Sequence, residues 1–455
     1  MAWGGGTFLT NNKILPGAYI NFVSRARASI ALSECGILAA PLFLNWGPEG
    51  QVYDISPDEF QTDSMKLFGY AFDAPEMFAL REIFGTSTRL LKVFRLAGET
   101  AKATCAPGGA TLATARYGGT RGNDLKITVE VNVDNESLWD IKTYIGNDLL
   151  EMQSGIANAQ ELRDNDFVVF NKSTALAATV AAPFIGGSNG TVSGLAMQNA
   201  LDAFESHAFH TLLCPVADLT TARLFINFAR RMRDDVGAKF TLVAWRAVND
   251  TAGYTPDFEG VISVDNEASG YPEGVDGLGA HSLVYRIAAM CAACAVNASL
   301  TNQRYDGELT INTAYKQREL EAAIKAGKFM LHQVGDTVRV LADINTFISV
   351  TPTKNEIFQS NQAIRVCDQI ANDVAVHWND RYLGKVQNDQ DGRNAFKGDV
   401  ILLIQKLEAI RAVESFDPDT VDALEGEQKD EVILILSALD IVQAMAKLYM
   451  TVVLV

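Results

Sequence analysis

The sequence predicts a multidomain protein of mixed α/β and α+β class. Its expected parts are a core with a parallel α/β domain, an inserted antiparallel β-sandwich, and a C-terminal α+β domain, with extended arms at both ends. Three observations predict this. From about residue 191, helix-like and strand-like stretches alternate, the pattern of right-handed βαβ units on a parallel sheet. Between about 97 and 182 the period is two, with Leu125, Ile127, Val129, Val131 and Val133 on one face and Lys126, Thr128, Glu130 and Asn132 on the other. After residue 351, two amphipathic helical stretches precede two apolar, β-prone ones, VILILSAL (432–439) and KLYMTVVLV (447–455).

Residues 1–24 read as an extended arm. WGGG (3–6) holds no regular element, Pro16-Gly17 marks a turn, and AYINF (18–22) suits a short strand. Residues 25–96 form a mixed segment of the core. In it PEMFALREIF (75–84) is helix-like and stopped by Gly85, and RLLKVFRL (89–96) is a strand. Residues 97–182 are the inserted sandwich, with LKITVEVNV (125–133), WDIKTYI (139–145) and FVVF (167–170) as strands between Gly, Asn and Asp clusters.

Residues 183–350 form the α/β domain. LDAFESHAF (201–209) leads into the buried strand TLLCPV (211–216). A helix carrying Leu224, Phe225, Phe228, Met232 and Val236 follows, capped by Asp218 or Thr220 and closed by Gly237. KFTLVAW (239–245) and GVISVDN (260–266) are the next strands. A helix over 318–326 ends at Gly327, with Glu321 and Lys325 paired at i,i+4. In residues 351–455, Ile357, Ile364, Ile370, Val374 and Trp378 mark one amphipathic helix, and Phe396, Val400, Leu403, Leu407 and Ile410 a second. The acidic stretch around 414–431 reads as a solvated loop between these helices and the last two strands.

At 455 residues the chain is long enough for several domains and a substantial core. Its net charge of −17 argues against a nucleic-acid binder, and equally against docking on anionic membranes. The six cysteines (Cys35, Cys105, Cys214, Cys291, Cys294 and Cys367) are scattered in apolar company, which suits reduced core thiols rather than a disulfide framework. The opening MAWGGGTFLTNN lacks a basic stretch followed by an apolar one, so no signal peptide is expected. The apolar run 287–296 is too short to span a bilayer. A soluble protein folded inside a cell is the expectation.

No catalytic, cofactor or metal constellation survives inspection. GGSNG (186–190) lacks the Lys and Ser/Thr of a P-loop. Cys291-x-x-Cys294 has no second Cys or His pair at metal spacing. His207-x-x-His210, near Asp202 and Glu205, lacks an evident third ligand. The acidic stretch has no EF-hand spacing. An α/β enzyme that binds a phosphate-containing ligand through residues 186–190 stays open as an alternative on these residues.

Extended, β-prone ends point elsewhere. Such strands serve β-augmentation, in which backbone hydrogen bonds supply affinity and alternate side chains supply register. A chain that donates both ends makes a heterologous contact, and repetition of that contact gives rings or helical filaments.

The C-terminal third resembles the contractile tail sheath family of phages, phage-tail-like bacteriocins and defective prophages of Gram-positive bacteria. The resemblance rests on ADINTFISVTPTKNEIF (342–358), AIRVCDQIANDVAVHWNDRYLGKVQNDQDGR (363–393) and LDIVQAMAKLYMTVVLV (439–455). These carry R-V-x-D-x-I-x-x-D, Y-[LI]-G-K-V-x-N-D and D-x-x-x-x-M-x-K-L-Y-M-T-V in succession. AACAVNASLTNQRYDGE (292–308), ELEAAIKAGKF (319–329), ILPGAYINFVS (14–24) and SRARASIALSECGI (24–37) extend the match, with Cys35 standing where relatives are expected to carry a basic residue.

The resemblance implies a structural subunit and no enzyme. It implies stacked hexameric rings around an inner tail tube, contraction that drives the tube through a cell envelope, and no cofactor. The implied partners are other copies of the chain, the tube protein, and baseplate and tail terminator proteins, with neither nucleic acid nor membrane among them. The setting would be a virion tail or tail-like particle assembled in the host bacterial cytoplasm. It further implies inter-subunit strands at Thr7, Phe8 and Leu9 or at Ala18, Tyr19, Ile20, Asn21 and Phe22. At the other end they would be Tyr449, Met450, Thr451, Val452, Val453, Leu454 and Val455. Val432, Ile433, Leu434, Ile435 and Leu436 would supply the accepting sheet, and Lys354 and Arg365 would face the tube.

Overall fold

The computed structural model describes residues 32–453. The arm candidates at residues 7–9 and 18–22, and Leu454 and Val455, lie outside the described residues. The core opens with β1 (Ile37–Phe43) and β2 (Val52–Ile55). Helix α1 (Pro57–Phe68) begins at a capping box: the Ser56 hydroxyl accepts from the Glu59 N–H, and the Glu59 carboxylate accepts from the Ser56 N–H at 2.8 Å. The helix expected over 75–84 divides into a 3₁₀ turn, Pro75–Met77, and α2 (Phe78–Phe84). Strand β3 (Leu90–Leu96) then leads out of the core.

The inserted β region comprises β4 (Thr104–Cys105), β5 (Ala113–Ala115), β6 (Leu125–Val131), β7 (Trp139–Ile145), β8 (Asp148–Ile156), β9 (Val168–Phe170) and β10 (Thr179–Pro183). A four-stranded sheet, β10-β6-β7-β8, and a three-stranded one, β4-β5-β9, are antiparallel throughout and share one core. Leu125, Ile127 and Val129 turn into that core, as their alternation predicts. The expected apolar face stops short, because β6 ends at Val131, and Val131 and Val133 are exposed.

The chain returns through α3 (Gly194–Phe204), β11 (Thr211–Leu213), α4 (Leu219–Arg231), β12 (Thr241–Trp245), β13 (Val261–Val264) and β14 (Ala268–Ser269). Asp218, not Thr220, caps α4, accepting from the Thr221 N–H at 2.8 Å. Then come α5 (Leu283–Ala293), β15 (Thr310–Ile311), α6 (Gln317–Lys325), β16 (Lys328–Phe329), β17 (Leu331–Val334) and β18 (Thr337–Val340). The central sheet runs β16-β13-β12-β11-β1-β3-β2, parallel except for β2 at its edge. β1 shows why the sheet is covered on both faces. Leu38, Ala40 and Leu42 pack with α1, α2 and α5, while Ala39 packs with α3 and α4.

The last part holds α7 (Asn361–Arg381), α8 (Gln390–Ala409), β19 (Val413–Glu414), β20 (Val421–Glu425), β21 (Val432–Leu436) and β22 (Asp440–Ile441). Ser360 caps α7, so the amphipathic stretch expected from Ile357 divides into a 3₁₀ turn, Glu356–Gln359, and an α-helix from Asn361. The stretch read as an acidic loop contains β20, the hairpin partner of β21. The stretch KLYMTVVLV, expected as a strand, has no regular element through Val453. The reason is visible in the pairing: β21 has its one partner in β20, and no second strand of the described chain lies beside it.

Candidate inter-subunit surface

The β20–β21 hairpin is amphipathic by register. Val421, Ala423, Leu434 and Leu436 share one face, and Val421, Leu434 and Leu436 form a small core with Phe396, Val400 and Leu407 of α8. The opposite face carries Leu424, Ile433 and Ile435, which are 48%, 46% and 41% exposed. Among the described residues β21 is hydrogen-bonded on one side only, so its other edge presents free N–H and C=O groups. An apolar face beside an open edge is the surface that a further strand fits.

Beyond β22 the chain offers such a strand. Met445, Leu448, Tyr449, Met450, Val452 and Val453 are between 65% and 102% exposed. Singly exposed apolar residues are ordinary, but six within nine positions form a contiguous sticky segment.

The two cations expected to face a tube are placed differently. The Lys354 ammonium donates to Glu259 Oε1 at 2.6 Å and remains partly exposed. Arg365 turns inward from α7, donating to Asp343 Oδ2 at 2.5 Å and to the Ala298 carbonyl at 2.9 Å. Burial disfavours its charge, but the Asp343 carboxylate more than compensates and holds the guanidinium protonated. An outward-facing Arg365 is thereby replaced by an internal ion pair.

The remaining motifs have structural roles. Three amides of the 186–190 loop are engaged: Gly187 N–H donates to Asn123 Oδ1, Ser188 N–H to the Ala101 carbonyl, and Gly190 N–H to Ser188 Oγ. Those three amides are turned to partners within the chain, and the loop pairs with residues 98–104 where the chain enters the β region. His210 accepts from the Ile37 N–H at 3.3 Å, and burial pushes its pKa below the usual range. Burial likewise pushes Cys294 up to about 11 and Cys291 well above the ordinary thiol value. Among the described residues no group of three or more His, Cys, Asp or Glu side chains is placed to hold a metal.

An inserted β-sandwich on a parallel α/β domain, followed by an α+β domain with an open hairpin edge, is the domain arrangement of a structural tail sheath subunit. The chain belongs to the phage tail sheath family. Residues 97–189 match the phage tail sheath protein beta-sandwich domain, 190–346 its central domain, and 353–455 the phage tail sheath C-terminal domain. The Bacillus subtilis (strain 168) protein YqbK is 30% identical over 392 residues, 81% of each chain. The crystal structure of a sheath tail protein from Desulfitobacterium hafniense superposes with a TM-score of 0.79 at 32% identity, covering 92% of this chain and 99% of that one. The helical sheath of the anti-feeding prophage in its contracted state shares the fold, with a TM-score of 0.55 at 11% identity over 97% and 99% of the two chains.

Sequence reasoning missed β20, and with it the hairpin. The signal was there: Val421 and Ala423 alternate with Asp422 in a stretch whose charge masked the period. It also missed the polar inner face of α7, which carries no apolar periodicity to reveal it.

Proposed function

We propose that this sheath subunit assembles as stacked six-membered rings around an inner tail tube, and that contraction of the sheath drives the tube through a cell envelope. The observation that carries this reading is the open, apolar edge of β21 together with an exposed apolar segment a few residues further along the same chain. Residues 449–455 of one copy pair with residues 432–436 of another, and residues 7–9 or 18–22 are donated at the other end. Backbone pairing of this kind tolerates rotation between subunits while keeping them linked. The energy for contraction is stored in subunit packing at assembly, so no nucleotide is required. The two ends of the polymer meet baseplate and tail terminator proteins, and assembly takes place in the host bacterial cytoplasm. Lys354 is the tube-facing cation in this reading.

Negative-stain microscopy of the purified chain tests it. Expected are tubes from the full chain and none from a chain lacking residues 449–455 or carrying Ile433→Lys with Ile435→Lys. Tubes of ordinary length from either variant would overturn the strand pairing. Lys354→Glu should leave sheath-only tubes intact and prevent co-assembly on inner tube, and normal co-assembly would remove Lys354 from the interface.

A further inference from the structure

Both described ends of the chain are held by one helix. At the first, the Ser33 N–H donates to Asp373 Oδ2 at 3.3 Å, and Gln369 Nε2 donates to Ser33 Oγ and to Asp373 Oδ2, each at 2.6 Å. Leu32 packs against the C-terminal core. At the other, Gln362 Nε2 donates to the Val442 carbonyl at 3.1 Å and to the Asn297 carbonyl at 3.3 Å, and its Oε1 accepts from the Ala444 N–H at 3.0 Å. Beyond Ala444 the described residues are exposed. Gln362 and Gln369 are buried, so their amides need partners, and each takes one of the two chain ends among them.

Between these anchors α7 is braced against the α/β domain. Arg365 pairs with Asp343, Asp368 pairs with Arg233 through contacts of 2.6 and 2.8 Å, and Asn372 exchanges hydrogen bonds with the Lys239 backbone. Gln362 and Asp373 are eleven residues apart, or about 16 Å along a helix axis. A helix is stiff along its axis because its hydrogen bonds run parallel to it, and buried ion pairs on its side keep it from sliding.

We propose that α7 is a tie between the two chain ends. Gln362 holds the root of the C-terminal segment and Gln369 with Asp373 holds the root of the N-terminal one. A pull on either end passes along this helix to the other instead of through the central sheet. That the pull comes from neighbouring copies rests on the sheath reading above. The anchors themselves do not.

Two measurements on the full chain test the tie. By hydrogen exchange on the unassembled subunit, Gln362→Leu should speed exchange of the Ala444 amide about tenfold, the worth of one lost hydrogen bond. The Ser33 amide should stay as it was. Asp373→Leu, which removes the acceptor of the Ser33 N–H, should do the reverse. Unchanged exchange at both roots would overturn the proposal whether or not the chain forms tubes. Ala444→Pro removes the donor without touching α7, and tubes built from it should break under sonication to less than half the wild-type median length. Equal lengths would overturn the force path. Absence of tubes from the wild-type chain would count against the sheath reading, leaving the exchange result to decide the anchors.

Discussion

Arg233 is 4% exposed, donates to the Phe240 carbonyl at 2.7 Å, and meets the Asp368 carboxylate with both terminal nitrogens. Removing one partner of such a pair strands the other charge away from water. Asp368→Ala is therefore expected to lower stability by about 3–5 kcal/mol, read from urea denaturation. Glu205→Ala, which breaks the exposed pair with Arg231, should leave the transition almost where it was. The thiols give a second residue-scale expectation. Burial pushes Cys214 up to about 12 and Cys105 up to about 11, so neither supplies thiolate at neutral pH. Iodoacetamide should leave both unmodified in the folded chain and label both in urea, as mass spectrometry would show. The sequence made buried thiols legible because their neighbours are apolar. Arg365 was not legible. A cation reads as a surface residue until the fold brings a carboxylate such as Asp343 against it, and that carboxylate lies 22 positions away.

At the scale of elements, α7 and α8 are joined by Asp399. Its Oδ2 lies 2.6 Å from His377 Nε2 and accepts from the Tyr382 hydroxyl at 2.7 Å. Burial alone would raise this carboxyl. The His377 and Tyr382 hydrogen bonds outweigh it, and the pKa falls below the ordinary carboxylate range. A depressed folded pKa contributes stability that is complete above the unfolded value, about 3.9, and is lost as pH falls through the lower folded value. Asp399→Asn should thus cost about 1–3 kcal/mol at pH 7. The gap to wild type should narrow progressively in denaturation series carried below pH 4. A constant gap would mean that the carboxylate's charge is not what joins the helices. Strands and helices of the central domain were legible because period and caps agreed with their burial. The 447–453 stretch shows the limit: its composition is that of a strand, yet a strand needs a partner, and composition does not name one.

Across the whole molecule, the order of the central sheet was the least legible feature. β1 and β3 pair with each other and β1 with β11, although more than a hundred residues separate β3 from β11 in the chain. The intervening β region leaves and re-enters through a paired ribbon: the Gly98 N–H donates to the Asn189 carbonyl at 2.9 Å, and Ala101 and Ser188 exchange both bonds. Trp46 packs edge-on to Tyr117 and stacks on Phe167, closing the joint from the core side. Replacing residues 99–188 by two glycines, with Trp46→Ser to restore a polar surface, should leave a chain that keeps its helical circular dichroism and unfolds cooperatively in urea. Loss of that cooperativity would show that the core needs the β region to fold. The ribbon carries a consequence for how such chains diversify. Because its two strands enter side by side, the joint is a socket: a folded module whose own ends meet within a hydrogen bond's reach can be plugged in or pulled out, and the path of the backbone through the central sheet keeps the same length.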